Sequence, residues 1–510
     1  MLARVKTFTI DGLQIWHVAV EVDIRPGLPA FTIVGLADAS VREARERVQT
    51  AIRNSGYALP MSRITVNLAP ADVPKIGPGL DLALACGVLA ASNQVPPDLL
   101  EDHAFLGELA LDGSVRSCRG TLAIAQACVE AGARTLVLAP ERAREAMLVQ
   151  DLRVAPVQRL RSAVGVLRGD PPDPLPAPED HELAGAGVSE TELDLSDVRG
   201  QDHAVRALVI AAAGGHNCLL SGPPGTGKTM IARRIPSILP SLTRPEAIEV
   251  TRIHSIAGDL HGRLAQTRPF RAPHHTTTAV GLVGGASKGR VGEVVLAHRG
   301  VLFLDELSEF AKSSLEALRQ PLEDGRVAVV RATHSTVYPA RFMLIAATNP
   351  CPCGYAGEGA RCRCSETDLA RHRRKLSGPL LDRIDLQARL EDAGSEGLSA
   401  APWTSSQNAR ERVIEARERQ AHRLRGEAVT TNAYLDLQTL QQHSQLDQQG
   451  QQMLLDAAAR GLLSARGQNR TLRVARTIAD LNGRERVATQ DVGVALSLRP
   501  ETGLRSSRAA

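Results

Sequence analysis

The segment GPPGTGKT restricts the possible folds of this chain more than any other feature. It matches the pattern G-x-x-x-x-G-K-[ST], follows the apolar run NCLLS and precedes the segment MIARRIPSIL, which has helical character. In this context backbone N–H groups and a helix N-terminus surround a phosphate. The sequence therefore predicts a nucleotide-binding core on a parallel α/β sheet. The loop residues are Gly222, Pro223, Pro224, Gly225, Thr226, Gly227, Lys228 and Thr229.

Two residues of this loop and two acids further along the chain indicate hydrolysis of the bound nucleotide. Lys228 is expected to reach the β- and γ-phosphates, and Thr229 is expected to ligate Mg²⁺. VLFLDE, residues 301–306, is an apolar strand ending in two acids. Asp305 would hold Mg²⁺ through water, and Glu306 would polarise the attacking water. A strand followed by a charged turn would explain VLFLDE alone, but downstream of a phosphate-binding loop the catalytic interpretation is favoured, so ATP and Mg²⁺ are the predicted cofactors.

Two later segments carry polar residues of interest. The apolar run FMLIAATN ends in Asn349. If its strand lies beside the phosphate-loop strand, Asn349 would hold the same water or contact the γ-phosphate. In SGPLLDRIDL, Arg383 stands between two aspartates, and from the sequence alone a local salt bridge is the better explanation.

Length and composition indicate more than one domain. The chain has 510 residues, of which 43% are hydrophobic, and this is too long for a single core. Residues 169–192 are rich in Pro, Gly and acidic residues and are expected to form an exposed linker. Residues 1–168 mix strand and helix patterns, residues 193–392 alternate short apolar strands with helices, and residues 393–510 are helical in pattern. The prediction is an α/β multidomain protein.

Charge and composition restrict the partners and the compartment. The net charge of +4 neither demands nor excludes nucleic acid, and an aromatic content of 3% disfavours a base-stacking surface. The start MLARVKTFTI lacks the apolar run of a signal peptide, and no segment is long and apolar enough to span a bilayer. The four scattered cysteines are expected to be buried in a reducing compartment, so a cytoplasmic protein without a membrane partner is predicted.

The order of the phosphate loop, LDE, the strand-end Asn and LLDRID resembles AAA+ ATPases. RPFRAPHHTTTAVGLVGG, GEVVLAHRGVLFLDEL and YPARFMLIAATNPCPCG resemble the magnesium-chelatase-like AAA+ family, and the linker and first domain resemble its YifB/ComM branch. This resemblance implies an AAA+ core, a C-terminal helical lid domain and a homo-hexameric ring. It also implies that Asn349 is the sensor-1 residue and that Arg383 is an arginine finger reaching the neighbouring subunit. Arg473 matches the sensor-2 arginine, with Arg470 and Arg476 as alternatives.

The same resemblance places three further segments. DLSDVRGQ, residues 194–201, would line the adenine pocket. The insertions at residues 279–296 and 325–342 resemble loops that face the central pore of ring helicases. Solvated hairpin tips are the alternative explanation for them. The residues that would contact a sugar-phosphate backbone there are Lys288, Arg290, Arg331 and His334.

Two groups of candidate metal ligands differ in quality. His274 and His275 are adjacent, and on a strand they would point to opposite faces, so a structural or nucleotide-proximal role is favoured. The loop at residues 351–364 carries two C-x-C pairs around a Gly-rich turn, which would allow four thiolates to converge on a structural Zn²⁺. Free or redox-active thiols remain the alternative. A bound metal would fix the approach to Arg383. The four ligands are Cys351, Cys353, Cys362 and Cys364.

The first domain resembles the proteolytic domain of Lon-type proteases, which has the ribosomal protein S5 domain 2-like fold. Gly79 stands where that family has its serine, and Leu122 stands where it has its lysine. Because a Ser–Lys mechanism needs both groups, the domain is expected not to be a protease. Ring assembly or DNA contact is the expected role.

These expectations favour an ATP-dependent DNA motor, a helicase or branch-migration ATPase that acts on single-stranded or branched DNA. It would promote integration of incoming DNA in natural transformation or recombination, with recombination proteins as partners. One alternative is a chelatase-type subunit that inserts Mg²⁺ into a porphyrin, although no porphyrin pocket is evident. Another is a protein remodeller, whose pore loop would carry an aromatic residue that GGASKGR lacks.

Overall fold

The structure is a computed structural model, and it describes residues 2–177, 193–258, 263–285, 291–330, 335–356, 361–375, 378–427 and 429–499. Of the predicted linker, residues 170–177 contain neither helix nor strand, and residues 178–192 lie outside the described residues. The four residues predicted to contact DNA also lie outside them. These are Lys288, Arg290, Arg331 and His334.

The first domain is built on a seven-stranded mixed sheet with strand order β3-β4-β2-β1-β5-β8-β9, beside a two-stranded β6–β7 ladder. Its strands are β1 Leu2–Asp11, β2 Gln14–Arg25, β3 Ala30–Val34, β4 Arg63–Ala69, β5 His103–Leu106, β6 Glu108–Leu109, β7 Val115–Arg116, β8 Thr135–Leu138 and β9 Arg153–Pro156. Its helices are α1 Ala39–Asn54, α2 Asp81–Ala91, α3 Thr121–Glu130, α4 Ala143–Ala146 and α5 Leu160–Leu167.

Helix α2 is the central element of this domain. Every residue of DLALACGVLAA is buried, as expected for a helix that is apolar on all sides. A Cβ at Gly87 would lie 2.8 Å from a methyl carbon of Val22, so the glycine permits α2 to pack closely on β2. The one acid of α2, Asp81, is paired with Arg47 of α1 at 2.7 Å.

The region predicted to be an ATPase core contains a five-stranded, all-parallel sheet with strand order β11-β12-β15-β10-β16. The strands of this region are β10 Cys218–Ser221, β11 Phe270–Arg271, β12 Val301–Leu304, β13 Arg326–Val330, β14 Ser335–Pro339, β15 Met343–Thr348 and β16 Leu386–Arg389. Strands β13 and β14 form a separate antiparallel hairpin. Strands β10, β12 and β15 are buried throughout, which explains why their sequences are continuous apolar runs.

Helices cover this sheet, and one of them differs from the sequence prediction. MIARRIPSIL was expected to be a single helix, but it is divided at Arg233 and Arg234, because Pro236 has no N–H to donate to the carbonyl of Ala232 four residues earlier. The helices are α6 Asp202–Gly214, α7 Lys228–Ala232, α8 Ile235–Ile238, α9 Arg244–Ala257, α10 Ala279–Val283, α11 Glu293–Leu296, α12 Lys312–Ala317, α13 Arg319–Asp324, α14 Glu366–Lys375 and α15 Gly378–Leu381.

The C-terminal region is helical and shares its apolar core with the ATPase sheet. One cluster of buried side chains contains Leu208 of the ATPase core together with Val413, Val474 and Val492. The two regions are therefore packed as one hydrophobic unit. The helices are α16 Gly394–Ser399, α17 Ser406–Arg423, α18 Leu437–His443, α19 Gln448–Ala459, α20 Ala465–Leu481 and α21 Thr489–Ser497. Among the described residues no helix combines the length and apolar character needed to cross a bilayer.

A buried carboxylate joins the first domain to the ATPase core. Glu145 of α4 accepts hydrogen bonds from the Leu122 backbone N–H at 2.8 Å, from Arg142 at 3.2 Å and from the hydroxyl of Ser255 in α9. The Gly120 N–H donates to the carbonyl of Ser255 at 3.0 Å. The position that resembles the Lon lysine is thus part of a contact between domains.

We expect Glu145→Ala to lower the free energy of unfolding by about 1–3 kcal/mol, because it leaves buried donors without an acceptor. Urea denaturation of the full-length protein measures this change. The exposed Glu130 at the end of α3 supplies the control Glu130→Ala, for which a change below about 0.5 kcal/mol is expected. Equal effects of the two substitutions would contradict the assignment.

Candidate active site

The phosphate-binding loop lies at the carboxyl end of β10, the strand between β15 and β16 in the sheet. Ligands of open parallel sheets bind at this end of the strands. Gly225 and Gly227 have φ values of 83° and 86°, a region that side-chain-bearing residues rarely adopt. A Cβ at Gly222 would lie 2.5 Å from the Leu390 carbonyl oxygen. The glycines are therefore required by backbone geometry.

Lys228 is folded back onto its own loop. Its Nζ donates to the carbonyl oxygens of Gly222 and Pro223, both at 2.7 Å. Burial lowers the pKa of Lys228, and the charge of Asp305 opposes this shift. Phosphate oxygens would exchange for the two carbonyls as partners of the ammonium group, so the lysine is positioned to bind a nucleotide.

Thr229 and Asp305 meet directly beneath the loop. The Thr229 hydroxyl donates to Oδ2 of Asp305 at 2.7 Å, and the backbone N–H of Glu306 donates to Oδ1 at 2.9 Å. A hydroxyl and a carboxylate are the hard oxygen ligands that Mg²⁺ prefers. The two residues predicted to hold Mg²⁺ are brought together and fit the ion.

Glu306 has an unusual backbone conformation. Its φ of 50° and ψ of 49° lie in the left-handed region, which is strained for a residue other than glycine. The side chain is mostly exposed, and its carboxylate lies 3.5 Å from Nδ1 of His275. This backbone conformation exposes the acidic side chain at the end of β12, which is the position expected for the catalytic base.

The two histidines do not point to opposite faces, so that expectation is wrong. The ring centroids of His274 and His275 are 4.0 Å apart, because the residues lie in a loop and turn after β11 rather than on a strand. For His275 the sequence indicates only a structural or nucleotide-proximal role. Its contact with Glu306 puts it beside the predicted catalytic base.

Asn349 lies next to the first residue of the phosphate loop. Strand β15 pairs with β10 so that Thr348 is opposite Ser221, and the Gly222 N–H donates to the Thr348 carbonyl at 3.3 Å. Nε2 of His372 in α14 donates a hydrogen bond to the Asn349 carbonyl at 3.0 Å, and this contact fixes the backbone there. The strand-end position inferred from the sequence is the one observed.

Arg383 lies at the opposite edge of the sheet. The backbone carbonyl of Arg383 accepts from Asn217, which immediately precedes β10, at 3.0 Å. Its guanidinium pairs with Glu323 at 2.6 Å. The expectation of a salt bridge to a flanking aspartate is wrong for Asp385, which pairs with Arg470 at 2.7 Å. Because strands β10 and β16 separate the two edges, Arg383 cannot serve the phosphate loop of its own chain.

Asp385 organises this edge. Burial raises its pKa, but the His216 ring, whose Nδ1 lies 3.5 Å from Oδ2, and the charge of Arg470 outweigh burial and hold the pKa below the usual value for an aspartate. Arg473 lies in the same place: with Glu323, Asp385 and Arg470 it lines a cavity of about 240 Å³. Arg473 is therefore not beside the phosphate loop of its own chain.

The alternative sensor-2 candidates have other partners. Arg476 is buried and ion-paired with Asp480 at 2.8 Å, and it also donates to backbone carbonyls of Arg484 and Glu485. These contacts give Arg476 a structural role. Arg470 is held by Asp385, as described above.

The segment at residues 194–201 connects the nucleotide helices to the C-terminal region. The Asp194 carboxylate accepts from the backbone N–H of Ser406, the first residue of α17, at 3.1 Å. Arg234, which lies between α7 and α8, pairs with Asp197 at 2.7 Å. This position beside the helix that follows the loop is compatible with lining a base pocket.

The cysteine loop brings four sulfurs together. The Sγ atoms of Cys351, Cys353, Cys362 and Cys364 all lie within 4.8 Å of one another, and three of the separations are 3.3, 3.7 and 3.9 Å. Tetrahedral Zn²⁺ with bonds of about 2.3 Å requires sulfurs about 3.8 Å apart. Backbone N–H groups of Tyr355 and then Arg363 lower the pKa of Cys353 to about 6, whereas burial and the neighbouring cysteines raise the pKa values of Cys362 and Cys364 against their backbone hydrogen bonds. The cluster fits zinc.

This loop packs against the phosphate loop, not against Arg383. Gly354 has a φ of 90°, and a Cβ built on it would lie 2.4 Å from Cδ of Pro224. The expectation that a metal would fix the approach to Arg383 is therefore wrong, since Arg383 lies at the other edge of the sheet. In the chain, helices α14 and α15 lie between the cysteine loop and Arg383.

The region that resembles the Lon active site is filled by apolar contacts. A Cβ at Gly79 would lie 3.2 Å from Leu106 and 3.3 Å from the sulfur of Cys118. Burial raises the pKa of Cys118 to about 12, so this thiol is a poor nucleophile. Leu122 is buried beside it in α3.

Comparison with known proteins agrees with the geometry. The family described as "Magnesium chelatase, subunit ChlI" matches residues 194–398, "Subunit ChlI of Mg-chelatase" matches residues 20–142, and "Magnesium chelatase, subunit ChlI C-terminal" matches residues 403–499.

Individual relatives match over different lengths. The Competence protein ComM of Haemophilus influenzae is 41% identical over 507 residues, 98% of this chain and 97% of that protein. The uncharacterized protein YifB of Escherichia coli is 40% identical over 501 residues, 98% of this chain and 97% of that protein. The Magnesium-chelatase 67 kDa subunit of Chlorobaculum tepidum is 31% identical over 162 residues, 30% of this chain and 23% of that protein.

We expect protein purified without chelators to hold one Zn²⁺ per chain and Cys353→Ser to lose it, because three sulfurs leave the tetrahedral site incomplete. Elemental analysis by mass spectrometry measures the metal content. The buried Cys128 of α3 gives the control Cys128→Ser, which should retain zinc. An unchanged zinc content in Cys353→Ser, or none in the parent protein, would reject the assignment.

Proposed function

This chain belongs to the YifB/ComM family of magnesium-chelatase-like AAA+ ATPases, and from that premise we propose that it is an ATP-driven DNA motor working as a homo-hexameric ring. Its task would be to help incoming DNA integrate into a chromosome during natural transformation or recombination. The name of its relative in Haemophilus influenzae, Competence protein ComM, supports this context.

One observation carries the proposal: the catalytic groups are divided between two edges of a parallel sheet. Lys228, Thr229, Asp305 and Glu306 are at the carboxyl edge, and Arg383 is at the amino edge. A complete site then requires a second subunit, whose Arg383 would face the phosphate loop of the first. Repeating such a head-to-tail contact gives a ring when the rotation between successive subunits closes, as the proposal requires.

Within one site each side chain has a separate task. Lys228 binds the phosphates, and Glu306 orients the attacking water and accepts its proton. Asn349 holds the same water from the neighbouring strand. Mg²⁺ held by Thr229 and Asp305 offsets phosphate charge when bound.

The neighbouring subunit supplies the remaining charge. Its Arg383 stabilises the negative charge that develops on the transferred phosphoryl group. Arg473 lines the same cavity as Glu323, the residue that pairs with Arg383. We therefore propose that Arg473 also acts on the nucleotide site of the neighbouring subunit. Exchange of Arg383 between Glu323 and a nucleotide would couple hydrolysis to movement at the subunit contact.

Zinc would brace the phosphate loop. The cysteine loop contacts Pro224 through Gly354, so a metal-held loop limits how far the phosphate loop can move. The metal is assigned a structural role and no part in the reaction.

Contact with DNA is proposed for two neighbouring hairpins. An antiparallel bridge joins Gly284 to Val291, and β13 pairs with β14 from Arg326 to Pro339. A Cβ at Gly285 would lie 3.6 Å from a methyl carbon of Val329, so the paired ends of the two hairpins adjoin. The basic residues that follow these paired ends in the sequence would contact the phosphate backbone of DNA without reading its sequence. These are Lys288, Arg290, Arg331 and His334.

A chelatase subunit is the second candidate, because the matching families carry that description. Against it, the Chlorobaculum subunit shares only 23% of its length with this chain. A protein-remodelling ATPase is a third possibility, and the pore-loop segment GGASKGR lacks the aromatic residue that would grip a polypeptide.

We expect single-stranded DNA to stimulate ATP hydrolysis and the stimulation to weaken between about 50 and 200 mM salt, because phosphate contacts release counterions. Steady-state ATPase assays at the two salt concentrations measure this effect. Lys288→Ala combined with Arg331→Ala should reduce the stimulation, whereas the exposed Arg460→Ala should not. Stimulation by unfolded protein or porphyrin in place of DNA would support the alternatives.

We expect Glu306→Gln to bind ATP normally but to hydrolyse it about 10²–10⁴-fold more slowly, because the amide cannot accept the proton of the attacking water. Lys228→Ala should instead lose ATP binding. Fluorescent-nucleotide titration and single-turnover hydrolysis separate the two effects. Rapid turnover by Glu306→Gln would reject Glu306 as the base.

A further inference from the structure

A second cavity lies at the amino edge of the ATPase sheet, between the core and the C-terminal helices, and it adjoins the first cavity at Gly215, Phe342 and Tyr434. Its volume is about 70 Å³. Three of its arginines each precede a parallel strand by two residues, and because β11, β12 and β15 are adjacent, these side chains line up along the sheet edge. A fourth comes from α17. The four are Arg268, Arg299, Arg341 and Arg417.

Two of these arginines are balanced by acids. Arg268 pairs with Glu246 at 2.9 Å, and Arg299 pairs with Glu249 at 2.9 Å. The neighbouring His298 adds no further positive charge, since burial lowers its pKa. Glu246 is the one acid that lines the cavity.

The other two arginines have no acidic partner among the described residues. Arg417 donates from Nε and Nη2 to one neutral group, the Ala212 carbonyl, at 3.0 and 2.7 Å. Burial lowers the pKa of Arg417 to about 9, which reflects the cost of its uncompensated charge. Arg341 lines the cavity half-buried, and its described hydrogen bonds involve its backbone. The cavity therefore has two excess positive charges.

The backbone around these arginines is held in a strained form. Arg299 has a φ of 61°, and its N–H donates to the Arg341 carbonyl at 2.7 Å. Arg268 donates to the Arg299 carbonyl at 2.8 Å. A residue other than glycine cannot follow, because a Cβ at Gly300 would lie 2.0 Å from the Pro269 carbonyl oxygen. Strain of this kind persists where surrounding contacts enforce it and is concentrated at binding sites.

We propose that this cavity binds a small phosphate-class dianion, of which inorganic phosphate is the representative, and that the anion ties the ATPase core to the C-terminal helices. Two guanidinium groups match the charge of a dianion and offer forked donors to its oxygens. Thr430 and Thr431 add hydroxyl groups to the lining. The cavity has room for several water molecules or one such ion. Arg341 precedes β15, whereas Arg417 belongs to α17, so the ion would join the two regions.

The proposal is independent of ATP hydrolysis and is tested in full-length Lys228→Ala protein, where the phosphate loop no longer contributes binding. Isothermal titration with inorganic phosphate should give one site per chain and an affinity that falls as salt rises. Adding Arg341→Gln should weaken binding at least about tenfold, while Arg460→Gln should leave it unchanged. No saturable binding, or equal binding with Arg341→Gln, would overturn the proposal.

Thermal melting provides the second readout. Phosphate should raise the Tm of the Lys228→Ala protein and of its Arg460→Gln version but not of the Arg341→Gln version. If Arg341→Gln does not fold, Thr431→Val removes one lining hydroxyl and should weaken phosphate binding several-fold; unchanged binding would overturn the proposal. Displacement of bound phosphate by short single-stranded DNA would show that a phosphodiester occupies the site and would reject the small anion.

Discussion

The common direction of five parallel strands is the constraint on which the rest of this structure depends. It places the phosphate loop, Asp305 and Asn349 at one edge of the sheet and Arg383 at the other. No side-chain movement can bring these groups together within one chain. In the proposed mechanism, catalysis with all of them requires a contact between subunits, and the sheet sets the distance between the two halves of the site.

Packing connects the two edges to the rest of the molecule. The cysteine loop bears on the phosphate loop through Gly354 and Pro224. The helices that carry Arg473 share one apolar core with the sheet, and the first domain is attached to α9 through Glu145. Packed contacts therefore connect the nucleotide site to the C-terminal helices and to the first domain, and close-packed interiors transmit displacements of this kind.

Local sequence patterns predict the parts of the site that lie within single strands or turns. The strands before Lys228, Glu306 and Asn349 are apolar runs ended by glycine or polar residues, and the structure has strands there. Pro236 within MIARRIPSIL is a local signal for an interrupted helix, although the segment as a whole has helical character. The Glu323 partner of Arg383 and the arginine-lined cavity depend on contacts between distant segments, which no local pattern contains. The one available indication was an arginine two residues before each of three strands.

Mixing two inactive variants tests the divided site most directly. Lys228→Ala and Arg383→Ala should each be inactive alone, whereas an equimolar mixture should recover ATPase activity, because about one quarter of randomly formed contacts would pair an intact Lys228 with an intact Arg383. Lys228→Ala mixed with Glu306→Gln is the matched control, since both residues belong to the same edge and no contact is restored. Absence of recovery in the first mixture, or full activity of Arg383→Ala alone, would contradict the account.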